Sequence, residues 1–271
     1  MKFDSNQAWK DASASVMANR DVLLALAGVF IALPALALAI FMPPPEPPSG
    51  ATPEAALALM GEYYTHSWLA LLGIALLQLL GTLTMLTLFT DRSRPTVGEA
   101  IKRGARGVLP VIAAQVIMAL GLGLLVSVLM IAAIASGAAL LKLAAGLLLV
   151  GAVAYVLVRT ALVSPIVIVE DQRNPIMALN RSWQLTKGST GKLAGFFAIL
   201  LVAAVVIYIV LAAGIGLIVS LIASGSTEAA IKDLIASFLQ AVLSVYSVAI
   251  IAACHRQLAG PSAEVEARTF S

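Results

Sequence analysis

Six long apolar runs separated by polar stretches set the pattern of this chain. They cover about residues 22–42, 67–90, 108–135, 139–163, 193–223 and 231–254. Each is about twenty residues or longer, the length at which a helix crosses roughly 30 Å of hydrocarbon. The apolar positions are continuous, whereas the strands of a membrane barrel would alternate. In lipid a backbone satisfies its own hydrogen bonds only as helices or as a closed barrel, so continuity predicts helices. The expected fold is all-α and integral to a membrane, one polytopic domain over residues 1–271 with six transmembrane helices. The first run exceeds a signal-peptide core of about 7–15 residues and should stay in place. Pro34 is expected to kink it.

Three polar stretches carry helical stripes of their own, and they predict short amphipathic helices on one membrane face, at about 5–20, 96–106 and 175–187. In the first, Trp9, Ala12 and Val16 fall on one stripe, although a disordered tail is the alternative. In the second, Thr96 and Glu99 fit a capping box. There Val97, Ile101 and Gly104 are expected to face the bilayer, and Lys102, Arg103 and Arg106 to face water. In the third, Asn174-Pro175 is a start signal and Lys187-Gly188 a stop signal. Between these, Ile176, Leu179 and Trp183 share a stripe, with Trp183 expected at headgroup depth. Elsewhere, the proline-rich stretch 43–55 is read as an extended external loop reaching Ser67, and SGSTEA as a short loop. The tail from His255 is read as polar and loose.

Composition strengthens this picture. The chain is 61% hydrophobic and 11% charged, against about 25% charged residues in soluble domains. The six-helix layout places 15 of the 17 Lys and Arg residues on one side. That bias predicts cytoplasmic N- and C-termini in a bacterial inner membrane, with the amphipathic helices on the cytoplasmic side. The net charge of +3 therefore reads as an orientation signal rather than a nucleic-acid surface. Cys254 is the single cysteine, so no intrachain disulfide forms, and a zinc or redox site is not expected. Three repeated two-helix units are a further expectation. Glu99-Ala-Ile-Lys-Arg-Gly104 loosely matches Met177-Ala-Leu-Asn-Arg-Ser182, with a fainter copy near Ala8-Trp9-Lys10.

The densest polar island runs from Arg159 to Lys192. Arg159 lies just inside the apolar limit of the fourth run. It either snorkels to the interface or forms a buried ion pair with Glu170, Asp171 or a lipid phosphate. The adjacent Glu170 and Asp171 read as a solvated boundary. Arg181 and Lys187 add positive charge on the third amphipathic helix, which serves either as an elbow or as a surface for anionic headgroups.

The pattern Arg159…Pro165…Glu170…Pro175…Ala178-Leu179…Arg181-Ser182-Trp183…Leu185-Thr186…Gly188 resembles the segment typical of YciC-like bacterial inner-membrane proteins. It also resembles the membrane domain fused to some glycerophosphoryl diester phosphodiesterases. That resemblance implies a helical inner-membrane domain without an established activity of its own. It does not imply the phosphodiesterase reaction, which belongs to a separate soluble domain.

No catalytic or metal-binding motif stands out, and no cofactor is expected. His66 and His255 fall on opposite faces of the expected topology. Gly121, Gly123, Gly214 and Gly216 are assigned to close helix packing or local bending. Gln78, Thr82, Thr84 and Thr87 form a polar stripe assigned to interhelical hydrogen bonds. The expected protein is not an enzyme but a scaffold or accessory factor in lipid or envelope organisation. Its expected partners are membrane lipids, including anionic headgroups, or a membrane protein. The alternative is a transporter or a lipid-translocating protein. The candidate elbow or headgroup residues are Arg159, Glu170, Asn174, Arg181, Trp183 and Lys187.

Overall fold

The computed structural model describes residues 3–91 and 95–260. These form helices α1 (Ser5–Ala18), α2 (Arg20–Ala27) and α3 (Leu33–Phe41), the last two joined by a π-helical turn at Gly28–Ala32. There follow α4 (Pro53–Thr90), α5 (Val97–Ala135), α6 (Ala139–Thr160) and α7 (Val163–Val169). The chain closes with α8 (Pro175–Thr186), α9 (Thr190–Ile222) and α10 (Gly225–Ala259). Six spans are long and apolar enough to cross a membrane: Arg20–Phe41, Pro53–Thr90, Val97–Ala135, Ala139–Val169, Thr190–Ile222 and Gly225–Ala259. The protein is an all-α, six-span, multi-pass membrane protein. Arg92, Arg94 and the tail from residue 261 lie outside the described residues.

Several boundaries differ from the sequence reading, each for a local reason. Helix α4 starts at Pro53, because Thr52 caps it by accepting from the Ala55 N–H and Pro53 suits the first helical turn. The segment read as a loop up to Ser67 is therefore mostly helix. At 38 residues and 1.5 Å rise per residue, α4 is about 57 Å long and must project well beyond the hydrocarbon. The expected surface helix at 96–106 is not separate. It forms the first turns of α5, started by the Thr96–Glu99 capping box. Pro110 lies inside α5 and has no N–H to give the Arg106 carbonyl, yet the helix continues. The loop read at SGSTEA is largely the opening turn of α10, and that helix runs past Cys254 to Ala259. In the first span the π-helical turn ends two residues before Pro34, whose ring would crowd the carbonyl four residues back in an ordinary helical turn.

The buried residues gather at one end of the bundle. Leu23, Leu83, Met85, Leu86, Ile166, Leu193 and Val245 are all nearly or fully inaccessible. The opposite halves of α5, α6 and α9 expose Leu120, Leu124, Val128, Leu147, Ile218 and Leu221. In a bilayer these meet acyl chains, so their exposure carries no penalty, and helix association needs another source. That source is close approach. Gly81 admits Phe30 of the π-helical turn: a Cβ there would lie 2.3 Å from the Phe30 Cβ. Gly104 admits α4: its Cβ would lie 2.9 Å from Thr84 Oγ1 and 3.0 Å from the Thr84 backbone nitrogen. Gly104 thus faces α4, not the bilayer. The glycines assigned to close packing are elsewhere: Gly121, Gly123 and Gly214 have nothing within 4 Å of such a Cβ.

The matched segments of the weak repeat share one feature in three dimensions. Ala8 and Ala12, Ala100 and Gly104, and Ala178 and Ser182 are all buried, four residues apart on one helix face. In α1 the buried stripe is Ala8, Ala12 and Val16, while Trp9 lies half-exposed and stacks on Tyr246 of α10. Helix α1 is thus packed onto α10 and does not rest on a surface by a Trp9 stripe. The Asp4 N–H donates to Gln257 Oε1, and Gln257 Nε2 donates back to the Asp4 carbonyl, so both ends of the described chain meet.

Replacing Gly104 with Ala should push α4 and α5 apart and cost about 1–3 kcal/mol by overpacking. Gly98→Ala on the same helix, with open space around it, serves as the control. Thermal unfolding in detergent should lower the midpoint for the first variant only, and equal midpoints would contradict the close contact.

Candidate functional site

The polar island folds into an elbow of α6, α7 and α8, closed by the end of α10. The α6 helix stops at Thr160, Ala161 and Leu162 interrupt it, and α7 resumes for seven residues. Asp171 then takes a left-handed backbone conformation, φ 47°, which an aspartate tolerates better than most residues. Asn174 caps α8 by accepting from the Ile176 and Met177 N–H groups at 3.0 and 3.2 Å. Gly188, at φ 84°, turns the chain out of α8 toward α9. Lys187 is exposed at that corner.

Arg159 is 8% exposed, so it does not snorkel. Nor does it pair with Glu170. Its guanidinium donates to Thr186 Oγ1 at 3.2 Å and Thr190 Oγ1 at 3.4 Å. It lies 4.5 Å from the Trp183 ring centroid and 5.7 Å from that of Tyr155, within the range of a cation–π contact. The two rings pack edge to face. The Arg159 backbone carbonyl accepts from Ser182 Oγ at 2.7 Å. The Arg159 Nε is buried without a partner among the described residues. The snorkelling arginine and its pairing with Glu170 or Asp171 are thus corrected. The reason is aromatic: Trp183 turns inward over the cation, leaving the buried face of α8 to Ala178, Ser182 and Thr186 while Ile176 points outward.

Glu170 holds a different set of partners. Its carboxylate accepts from Arg181 Nε at 3.0 Å and lies 3.1 Å from His255 Nε2. One side chain therefore joins α7, α8 and α10. The His255 contact, helped by Arg181, holds the Glu170 carboxyl below the usual carboxylate range, against the opposing effect of burial. His255 itself is 3% exposed; it lies inside the bundle, not at the start of a loose tail. Asp171 instead reaches Arg173, at 3.1 Å. The pair read as a solvated boundary is thus split: Glu170 ties helices together and Asp171 stays outside.

Thr186, Thr190, Ser182, Tyr155 and His255 were not among the sequence candidates. Ser182, Thr186 and Thr190 recur every fourth residue, a hydroxyl stripe visible in the sequence, and Tyr155 stands one turn before Arg159. No local signal joins His255 to Glu170, 85 residues away. The polar stripe of α4 behaves differently from its assignment. Thr82, Thr84 and Thr87 donate to carbonyls of their own helix, at 2.8, 2.8 and 2.9 Å. No group of three or more His, Cys, Asp or Glu side chains suited to a metal occurs among the described residues.

With the geometry in place, comparison with known proteins finds no matching family model, curated protein or solved structure.

Because the folded-state carboxyl of Glu170 titrates below its unfolded value of about 4.3, its ionised form contributes stability above that pH. The contribution is lost as pH falls through the folded value. The thermal midpoint of the wild type should therefore exceed that of Glu170→Gln near neutrality, with the gap closing below about pH 4. A gap constant from neutrality to acid would contradict the ties to His255 and Arg181. Arg159→Lys removes the planar cation from the rings and should cost about 1–2 kcal/mol, read as a lower midpoint with altered Trp183 fluorescence.

Proposed function

We propose that this protein is a non-enzymatic scaffold or accessory factor of the bacterial inner membrane, acting on anionic lipid organisation or on a membrane partner. Both termini lie in the cytoplasm in this reading, because the cation-rich end carries most of the Lys and Arg residues. The resemblance of the Arg159–Gly188 pattern to YciC-like proteins and to the phosphodiesterase-associated membrane domain belongs to the same proposal.

One observation carries it: the division of labour among the charged groups at that end. Arg159, Glu170, Arg181 and His255 are engaged with one another's helices. Lys102, Arg106 and Lys187 remain exposed, around a rim set by packed helices. Engaged groups build the elbow. The exposed cations are the ones an anionic leaflet would meet, each contributing about 1 kcal/mol near such a surface. The α4 polar stripe and the glycine-rich helices favour transport instead, but the threonine hydroxyls of that stripe are satisfied within their own helix.

The test is lipid selectivity of the full chain in vesicles of mixed phosphatidylglycerol and phosphatidylcholine, read by quenching of tryptophan with brominated forms of each lipid. Phosphatidylglycerol should be preferred. Replacing Lys102 and Lys187 together with Gln should cut that preference about thirtyfold, at about 1 kcal/mol per cation. Arg181 is unsuitable for this test, since its loss would also release Glu170. Equal association with both lipids would overturn the proposal.

A further inference from the structure

Two clefts follow one another along the contact between α5 and α7. The first, about 260 Å³, opens at the cation-rich end. It is lined by Arg103 and Arg106 of α5, by Val167 and Ile168 of α7, and by Asp171 and Arg173 of the elbow. The second, about 170 Å³, lies deeper. Val111, Ala114 and Gln115 of α5 line it, with Val163 and Ser164 of α7 and Thr160 of α6. On α5 the step from Arg106 to Ala114 is eight residues, about 12 Å along the axis. One cleft is therefore cationic and outermost. The other is mostly aliphatic, with a few hydrogen-bonding groups, and lies about two turns further into the membrane.

The charges in the outer cleft do not cancel. Arg103 pairs with Asp91, and Arg173 pairs with Asp171. Arg106 has no hydrogen bond or ion pair among the described residues. Three guanidiniums around one cavity, one of them unmatched, favour a phosphoryl group, since arginine presents planar paired donors to phosphate oxygens. The aliphatic wall of Val167 and Ile168 is a poor match for a hydrated free ion. It suits the start of an acyl chain, and the second cleft continues that apolar surface in the direction a chain would take from the headgroup. Gln115 lines the deeper cleft, exposed and with no hydrogen bond among the described residues. A polar group at that depth is costly unless something partners it.

We infer that the α5–α7 seam is a binding site for a single anionic phospholipid, with its phosphate between Arg103, Arg106 and Arg173 and an acyl chain in the cleft beside Ala114 and Ser164. This deepens the anionic-lipid reading above and rests on it, by assigning one built site where that reading needs only a basic surface. Arg106 is the central contact, because binding a phosphate there breaks no internal pair. Gly107 sets the width of the seam: a Cβ on it would lie 2.6 Å from Ile168 Cδ1.

The experiment is native mass spectrometry of the full chain in detergent, titrated with short-chain phosphatidylglycerol. Arg106→Gln and Arg173→Gln should each weaken binding about tenfold, in the range of a charge-assisted contact. Ser164→Leu, which fills the deeper cleft, should weaken it several-fold. Lys142→Gln, exposed at the far end of α6 and outside both clefts, should change it less than about twofold. Phosphatidylcholine of the same chain length should bind at least about tenfold more weakly. Glycerol 3-phosphate and inorganic phosphate should compete poorly. If Arg106→Gln behaves like Lys142→Gln while the preference for phosphatidylglycerol persists, the seam site is overturned and the anionic-surface reading stands. If the wild type binds both lipids alike, both readings fall together. If glycerol 3-phosphate or inorganic phosphate displaces the lipid at equal affinity, the ligand is a soluble phosphate and the lipid assignment is overturned.

Discussion

A bilayer offers a helix no hydrophobic reason to leave lipid for another helix, so association must come from close contact and from polar groups that find no partner in hydrocarbon. In this protein both sources operate at the same end. Gly81 and Gly104 bring the first, second and third spans within backbone distance of one another. The Ser182 hydroxyl, the Arg159 guanidinium and the Glu170 carboxylate join the elbow, and the last reaches α10. Arg256 adds a link from α10 to the Phe89 carbonyl at the end of α4. The far halves of α5, α6 and α9 are held mainly by apolar contact and face lipid broadly. Stability should therefore be uneven, highest where the polar ties cluster.

Arg159 and Glu170 illustrate how a low-dielectric setting sorts charges. Eleven residues apart and opposite in sign, they would form the obvious pair. They do not, because each has a better-shaped environment. Guanidinium is planar and weakly hydrated, so two aromatic rings and two hydroxyls can enclose it. Carboxylate needs donors at both oxygens, and Arg181 and His255 supply one each. Separating the two charges also spreads the ties over more helices than a single pair could join. Lys102, Arg106 and Lys187, without such enclosure, stay at the surface and keep their long-range field.

Much of the elbow was legible one residue at a time. Asn174-Pro175 and Lys187-Gly188 mark the ends of α8 because capping is local chemistry, decided within a turn of chain. Thr96 and Glu99 mark the start of α5 for the same reason. What such signals cannot show is whether a capped start belongs to a separate surface helix or to a spanning one. That depends on whether the helix continues unbroken beyond its first turns, as α5 does through Pro110. The inward turn of Trp183 was equally hidden, since a tryptophan beside a polar stripe suits a headgroup zone or a buried cation about equally well. Trp9 was misplaced in the same way, by a stripe one residue away from the face that α10 covers.

The sequence alone determined the solvent, the helical class, the number of spans and the asymmetry of charge, because each follows from runs of neighbouring residues and from composition. It also held the hydroxyl stripe of Ser182, Thr186 and Thr190, readable once its four-residue spacing is noticed. Only the tertiary structure decided that His255 meets Glu170 across 85 positions, that Gly104 rather than Gly121 is the tight contact, and that the arginines of α5 and the elbow share a cleft. Those facts depend on how helices far apart in the chain are brought side by side, and no local pattern encodes a distance between elements that meet only in three dimensions.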